Sequence, residues 1–303
     1  MTELKTLRAK GVATVTVDHV RCSSCGLCAR VCKGQPLYME DGKVMVDQNR
    51  IFGCMACGHC MAVCPRDCIK VNGRDLVPED MVTLPSYESR ANYDSLQALM
   101  LARRSVREFR KREVERDTID KIIAVAATAP MGIPPTDVAA FVIAGHDKVK
   151  AFKDDLLASF KKMRWLFTPP MLWLMRLFVH KEEYEMLKSF IVPVIDIYDV
   201  KDREGEDYFL YDAPLMIFFY SSLYSDPVDP TIAATYAMLA GESLGLGSCM
   251  IGCLGVVIQN DAKLRQKYGL PAKLRPGVGL IFGYPEIRYQ HAVRRTLANV
   301  HFH

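Results

Sequence analysis

The sequence predicts an α+β protein in which a small cysteine-rich domain precedes a larger layered domain. Eight of the eleven cysteines fall before residue 65, in two similar runs. From residue 94 onward, amphipathic helices mix with solid apolar strands without regular alternation, a pattern typical of α+β layers. A length of 303 residues suits about two domains, and 50% hydrophobic content suits a substantial core.

Both cysteine runs have the spacing Cys-x2-Cys-x2-Cys-x3-Cys, and Pro65 follows the second run. In bacterial ferredoxins, three thiolates of such a run bind one four-iron cluster, and the fourth binds the other cluster. The sequence therefore predicts two 4Fe-4S clusters. The ligands of the first are Cys22, Cys25, Cys28 and Cys64, and those of the second are Cys54, Cys57, Cys60 and Cys32.

Zinc binding and a disulfide framework are the alternative uses of paired cysteines. Zinc sites favour two pairs separated by a loop, whereas each run already holds four cysteines. The first run departs from the ferredoxin pattern, because Lys33 stands where proline is usual. We interpret Cys68, an extra thiol, as a small buried hydrophobe. His59 is expected to lie beside the second cluster without binding it.

Residues 1–80 are predicted to form the first domain, with an internal repeat. Ala13 to Val17 and Lys43 to Val46 alternate like short strands, and Gly58 to Val63 predicts a short helix. The apolar residues of this domain are too few to build a core alone. The clusters are therefore expected to hold it together.

A linker and a second domain follow. Residues 81–93 are polar and have no clear period, whereas residues 94–303 carry the helix and strand patterns. The predicted helices are Ser95 to Ala102, Asp117 to Ala127 with Asp117 as its cap, Thr231 to Leu244, and Ile258 to Tyr268. The predicted strands are Val138 to Ala144, Ala213 to Ser221, and Val278 to Tyr284.

The segment RRSVREF, residues 103–109, places three guanidinium groups and a hydroxyl within five residues. Guanidinium groups pair bidentately with phosphate oxygens, so this segment could bind a phosphate. The alternative is a solvated basic surface that residues 110–112 extend. A glycine-rich bend, Gly245 to Gly252, would let backbone N–H groups approach a flat ligand. Arg294 and Arg295 are a second basic pair.

In these motifs, residues 94–303 resemble the nitroreductase family of FMN-dependent oxidoreductases, and the whole chain resembles its ferredoxin-fused branch. The matching pieces are RRSVREF, the Ala129-Pro130 loop before a strand, ESLGLGSCMIG, and the terminal FGYP with its trailing arginines. The resemblance implies a nitroreductase-like α+β fold and an intertwined homodimer with FMN at the interface.

The resemblance also implies a role for each matched residue. The residues around the FMN phosphate would be Arg103, Arg104, Ser105 and one of Arg294 and Arg295. The residues along the flavin ring would be Arg107 near its pyrimidine edge and Met250, Ile251 and Gly252 near its reactive N5. The residues that reach the flavin of the opposite subunit would be Pro130, Met131 and Gly132.

One loop departs from the usual pattern of the family. Relatives commonly have Ala-Pro-Ser-x-x-Asn-x-Gln-Pro-Trp, whereas Ala129 to Val138 reads APMGIPPTDV. The serine, asparagine and glutamine are absent, which removes side-chain hydrogen bonds to the flavin and leaves the substrate open. Gly132 and the backbone can still make contact, and Thr136 is the nearest hydroxyl.

Residues 164–194 contain both tryptophans of the chain. Their longest uncharged run is eleven residues and includes Pro169-Pro170, so it is too short to span a bilayer. Three interpretations stay open for this segment: core or dimer packing, a lid over the flavin, and a membrane-surface patch.

Together these features predict an FMN-dependent oxidoreductase with iron–sulfur clusters. Clusters pass single electrons and a flavin can collect two, so electrons from a low-potential donor would reach FMN through the clusters. The predicted acceptor is a small organic molecule: a nitroaromatic, a quinone or an activated double bond. The expected donor is reduced ferredoxin or NAD(P)H, and no catalytic side chain is assigned. The alternative is an electron-transfer module whose acceptor is another protein.

Composition bears on the remaining partners and on location. The net charge of +4 is mild, and the basic run up to residue 112 has no interleaved aromatic residue beyond Phe109, so nucleic-acid binding is not expected. No apolar run reaches the roughly 20 residues of a spanning helix. The N-terminal residues lack a signal-peptide stretch. The sequence therefore predicts a cytoplasmic protein and leaves its physiological donor and acceptor open.

Overall fold

A computed structural model of the protein describes residues 12–51, 53–74, 76–132 and 137–302. Part of the atypical loop, including Thr136, lies outside the described residues. The hydroxyl expected from Thr136 therefore stays a prediction.

The N-terminal part contains two short antiparallel pairs of strands and two short helices. Its elements are β1 (Thr14–Val17), α1 (Leu27–Val31), β2 (Leu37–Glu40), β3 (Lys43–Val46), α2 (His59–Ala62) and β4 (Ile69–Asn72). β1 pairs with β4, and β2 pairs with β3. Apolar side chains of the strands, such as Val15, Leu37 and Val71, pack with buried cysteine thiols in one small core. The strands predicted at Ala13–Val17 and Lys43–Val46 are confirmed within one residue.

The predicted internal repeat is visible in the backbone angles. A shift of 32 residues takes Cys22 to Cys54 and superimposes residues with positive φ on one another. The matched pairs are Ser24 (54°) and Ala56 (56°), Gly26 (71°) and Gly58 (72°), and Gln35 (57°) and Asp67 (48°). Gly26 and Gly58 are the caps of the two helices. Positive φ favours glycine, so each glycine allows the chain to turn into its helix after the second cysteine of its run.

The C-terminal part is larger and mixes helices with one sheet. Its strands are β5 (Val138–Ala144), β6 (Leu215–Ser221), β7 (Gly247–Ile251) and β8 (Arg275–Gly283). Its helices are α3 (Tyr93–Ala102), α4 (Arg116–Ala126), α5 (His146–Met163), α6 (Pro169–Met175), α7 (Lys181–Met186), α8 (Val192–Glu204), α9 (Asp229–Ser243), α10 (Cys253–Asn260) and α11 (Ala262–Lys267). Short turns of 3-10 helix lie at Pro78–Asp80, Tyr87–Ser89 and Arg164–Phe167.

The sheet has the order β5-β6-β8-β7, and all its pairs are antiparallel. Successive side chains of a strand point to opposite faces of the sheet, so the central strand β6 contributes side chains to two cores. Met216 and Phe218 pack in one core with α5 and α10, whereas Ile217 and Phe219 pack in the other with α4 and α9. Helices thus cover both faces of an antiparallel sheet, which confirms the predicted α+β layering.

Three local predictions were wrong: a helix cap, one continuous helix and a glycine-rich bend. Asp117 is not the cap of α4, because the helix begins one residue earlier, at Arg116. The Asp117 carboxylate instead accepts a hydrogen bond of 2.6 Å from Lys121. The helix predicted from Ile258 to Tyr268 is divided in two, because Asp261 is extended and its carboxylate caps the N–H groups that begin α11. The glycine-rich segment is mostly the strand β7, and only Gly245 has positive φ (79°).

Residues 164–194 fold as short helices with exposed aromatic side chains. Trp165 is 58% exposed, Trp173 is 64% exposed and Phe178 is 81% exposed. Leu172 is a buried side chain of this segment. The two tryptophans therefore do not pack in the core of their own chain.

Candidate functional site

The cysteines of the N-terminal part form two groups, and each group mixes both runs. Burial raises the pKa of the Cys28 thiol, and the nearby thiols of Cys64, Cys22 and Cys25 add to the rise. The first three cysteines of the first run thus lie beside the last cysteine of the second. Cys25 is the exposed member of the group.

The second group mirrors the first. Burial raises the pKa of the Cys60 thiol to about 12, and the thiols of Cys54, Cys32 and Cys57 add to the rise. Cys32, the last cysteine of the first run, therefore lies with the first three cysteines of the second run. Cys57 is exposed, as is its counterpart in the first group.

Backbone N–H groups point at several of these sulfur atoms. The N–H of Ser24 donates to Cys22 Sγ at 3.4 Å, and at the matched place the N–H of Ala56 donates to Cys54 Sγ, also at 3.4 Å. Both donors have positive φ. At both positions, the residue whose N–H points at a cysteine sulfur therefore has the same uncommon left-handed backbone conformation.

Cys64 has donors of a different kind. Burial raises the pKa of its thiol, but N–H groups including that of Cys68 stabilise the thiolate, and the net effect is a lowered pKa. The N–H of Cys68 lies 3.5 Å from Cys64 Sγ, and the two Sγ atoms are 3.3 Å apart. Cys68 is 3% exposed, in agreement with its interpretation as a buried residue.

Neither group has the geometry of a site for one ion. Among the described residues, no three His, Cys, Asp or Glu side chains are close enough together to hold a single metal ion. His59, the first residue of α2, is exposed.

In the C-terminal part, the RRSVREF segment lies directly along the sheet. The N–H of Val106 donates to the carbonyl of Ser248 at 3.0 Å, so the segment runs beside β7. The N–H of Arg110 then donates to the carbonyl of Tyr284 at 2.9 Å. This docking brings Arg103, Arg104 and Ser105 to the strand that contains Met250 and Ile251.

A cavity of about 430 Å³ opens at the start of this segment. It is lined by Arg104, by Glu242 at the end of α9, by residues 245–247 and by residues 287–292 of the C-terminal segment. One terminal nitrogen of Arg104 donates to the carbonyl of Arg103 at 2.7 Å, and the other is buried without a partner among the described residues. Burial raises the pKa of Glu242, an effect that the guanidinium groups of Arg103 and Arg104 partly offset.

The other predicted flavin contacts are partly accessible. Met250 is 38% exposed on β7, Gly252 is exposed and Ile251 is buried. An added Cβ at Gly252 would meet no atom within 4 Å. The Arg107 guanidinium lies 5.6 Å from the ring centre of Tyr211.

The loop at Pro130, Met131 and Gly132 is held by a buried carboxylate. The N–H of Gly132 donates at 3.0 Å to Asp229, which is 4% exposed at the beginning of α9. Met131 packs against the core on that face of the sheet. The loop is thus attached to the chain's own α9 even though its usual polar residues are missing.

Arg294 and Arg295 are not brought to the other basic residues. Both lie in the exposed segment 286–302, outside any helix or strand, and neither lines the cavity beside Arg104. The same segment reaches the cavity earlier, at Arg288 and His291.

Sequence reasoning did not single out three residues of this site. Glu242 carried a signal, because it begins the ESLGLGSCMIG motif. Asp229 and Tyr211 had none, since each reaches the site only through the tertiary fold.

None of the helices in the described ranges combines the length and the apolar character that a membrane-spanning helix needs.

Comparisons with known proteins place this geometry in a family. The sequence pattern of the nitroreductase family matches residues 100–284. Among curated proteins, none matches the chain.

The matches between this chain and similar solved structures extend over nearly the whole length of those structures. A crystal structure of a nitroreductase with bound FMN from Bacteroides fragilis is 17% identical, with a TM-score of 0.50, over 70% of this chain and 98% of that chain. An FMN-dependent nitroreductase from Clostridium difficile is 17% identical over 70% and 100% of the two chains, with a TM-score of 0.47. The first of these supports the fold alone. Because the family pattern spans more than half of the sequence, the chain belongs to the nitroreductase family.

Proposed function

We propose that this protein is an iron–sulfur flavoprotein oxidoreductase. Electrons from a low-potential donor would pass through two 4Fe-4S clusters to FMN, and a small organic acceptor would be reduced there. The observation that carries the proposal is the grouping of eight cysteines into two mixed sets, in a chain whose residues 100–284 belong to an oxidoreductase family. The proposed domains are 1–80 for the clusters, 81–93 as linker and 94–303 for the flavin.

The cysteine geometry fits two clusters. Exchange of the last cysteine between runs is the arrangement that two-cluster ferredoxins require. Each thiolate of a four-iron cluster binds a different iron, so the four sulfurs need not converge on one point. The donors Ser24 and Ala56 supply hydrogen bonds to the thiolates at matched places. Exposed Cys25 and Cys57 favour a reducing, cytoplasmic location.

The residues along β7 fit FMN. The buried, unpartnered nitrogen of Arg104 suits a phosphate oxygen, because guanidinium–phosphate hydrogen bonds are charge-assisted. Arg103 and Ser105 lie next to it on the same docked segment. Accessible Met250 and Gly252 leave room for a flat ring, and N–H groups of the strand end can approach it.

FMN, when bound, supplies the chemistry that accepts single electrons and transfers two. The chain's own residues bind and orient it. Arg107 is proposed to lie near the pyrimidine edge, where its fixed positive charge stabilises negative charge that develops on the ring. Pro130, Met131 and Gly132, held by Asp229, are proposed to cover the flavin of the second subunit.

Exposed apolar side chains support a homodimer. Helix α3 buries none of its residues, although Leu96, Met100 and Leu101 project from it. The segment 285–302 exposes a further set of large side chains: Ile287, Tyr289, Val293, Leu297, Val300 and Phe302. Apolar surface of this extent is typical of an interface. In the dimer, Arg294 or Arg295 would reach a phosphate site, and light scattering should give twice the 34.1 kDa chain mass.

Anaerobic purification tests the proposal. Intact protein should contain about eight irons and eight sulfides per chain, as two four-iron clusters require, together with one FMN. Zinc with little iron would contradict the cluster assignment. Screening nitroaromatics, quinones and activated alkenes for reoxidation of the reduced flavin should find an acceptor. Reoxidation by protein partners alone would favour an electron-transfer module.

A further inference from the structure

Cys68 distinguishes the two halves of the N-terminal repeat. The shift of 32 residues that superimposes Cys32 on Cys64 also superimposes Pro36 on Cys68. The match is fixed by structure on both sides, since Gln35 and Asp67 share positive φ and strands β2 and β4 begin directly afterwards. The same place in the fold therefore holds proline in one half and cysteine in the other.

The two residues differ in what they can donate. Cys68 offers an N–H at 3.5 Å and a thiol sulfur at 3.3 Å to Cys64 Sγ, and its thiol is also within hydrogen-bond range of Cys22. Proline has neither an N–H nor a polar side chain. The N–H groups of Ser24 and Ala56 donate equivalent hydrogen bonds in the two halves. They therefore do not offset the difference in donors between Cys68 and Pro36.

Both sulfurs that Cys68 approaches belong to one proposed cluster. A cluster ligand binds as a thiolate and has no proton to donate. In the contact between the Sγ atoms of Cys68 and Cys64, the S–H donor is therefore Cys68. Hydrogen bonds to cluster sulfurs raise the reduction potential, because they stabilise the more negative, reduced cluster.

We propose that Cys68 sets the order of the two clusters by raising the reduction potential of the one held by Cys22, Cys25, Cys28 and Cys64 above that of the other. The inference rests on the two-cluster proposal above. Cys68 is a positioning and tuning residue, not a ligand. The cluster beside it is the one that keeps the first electron.

The test is a redox titration of the full-length holoenzyme, followed by electron paramagnetic resonance. Wild-type protein should show two cluster midpoints. Cys68→Ala should lower the higher midpoint, with about a tenfold change in the oxidised-to-reduced ratio at fixed potential, or roughly 59 mV for one electron. The lower midpoint should not move. Cys68→Ser, which keeps an O–H donor, should retain the higher midpoint.

Two further variants complete the test. Pro36→Cys should raise the lower midpoint, and Cys253→Ala, a thiol in the C-terminal part, should move neither cluster. Coincident wild-type midpoints, a shift in the lower midpoint of Cys68→Ala, or no shift at all would overturn the inference. If Cys68→Ala loses its clusters, Cys68→Ser replaces it as the test, and a lowered higher midpoint in Cys68→Ser overturns the inference. Iron content of the same samples separates the two proposals, since fewer than about eight irons in wild type contradicts the clusters themselves.

Discussion

The side chain of Val106 occupies the space in which Gly247 would carry a Cβ. A Cβ built at Gly247 would lie 2.7 Å from Cβ of Val106, closer than such atoms approach in proteins. The contact lets the RRSVREF segment lie flat on β7, with the Val106 amide bonded to Ser248. The position of the proposed phosphate-binding residues thus depends on a glycine 141 positions after Val106 in the chain.

Gly247→Ala should therefore displace the segment. Because Val106 is buried and the methyl group has no free space, we expect a loss of about 1 to 3 kcal/mol in the free energy of unfolding, as for other overpacked cores. FMN binding should weaken with it. Thermal unfolding and a fluorescence titration with FMN measure the two effects. Gly252→Ala is the matched control for thermal unfolding alone, because Gly252 is itself a proposed flavin contact. At Gly252, φ is −68° and no atom lies within 4 Å of the added Cβ, so equal Tm values in the two variants would refute the packing argument.

Arg104→Ala should weaken FMN binding without changing iron content. The lost charge-assisted hydrogen bond contributes about 1.5 to 3 kcal/mol, which corresponds to roughly ten- to a hundred-fold in Kd. Arg116→Ala serves as the control, because that guanidinium is paired with Asp120 on an exposed helix. If FMN affinity survives the loss of both Arg103 and Arg104, the segment is only a solvated basic surface.

Cys64→Ala should damage the cluster of the first run and spare that of the second. The reason is the mixed grouping, in which Cys64 lies with Cys22, Cys25 and Cys28. Iron analysis should show a loss of up to four irons per chain, and cluster spectra should report one remaining centre. Loss confined to the cluster of Cys54, Cys57 and Cys60 would show that each run binds its own cluster. Cys249→Ala, in the C-terminal sheet, should leave the iron content unchanged.

Deletion of residues 1–80 should abolish flavin reduction by reduced ferredoxin while the protein keeps FMN. The sheet and both of its cores lie wholly after residue 93, so the remaining part has its own packing. Reactivity with small chemical reductants should persist. Anaerobic stopped-flow absorbance at the flavin band, in full-length and truncated protein, measures the rates. Equal rates with reduced ferredoxin would mean that electrons do not enter through the clusters.

Much of the secondary structure followed from local patterns. Strand β5 was predicted at its observed bounds, Val138–Ala144, from its solid apolar run. The expectation that it is a buried strand was wrong, because β5 is at the edge of the sheet and leaves Ala140 and Val142 exposed. The expectation that the chain belongs to the nitroreductase family is confirmed, because the family pattern matches residues 100–284. The wrong predictions lie where a single side chain sets a helix boundary. Asp261 is an example, because it is extended after α10 and its carboxylate caps the beginning of α11.

The amino-acid sequence by itself determined the family and predicted the cluster ligands, because the order of motifs and the spacing of cysteines are properties of the linear chain. Only the tertiary structure decided which groups meet. It placed Cys68 against Cys64 where the other half of the repeat has Pro36, pressed Val106 onto Gly247, and attached Gly132 to buried Asp229. These contacts join residues on different elements, and their distances depend on how the elements pack, which no local pattern records.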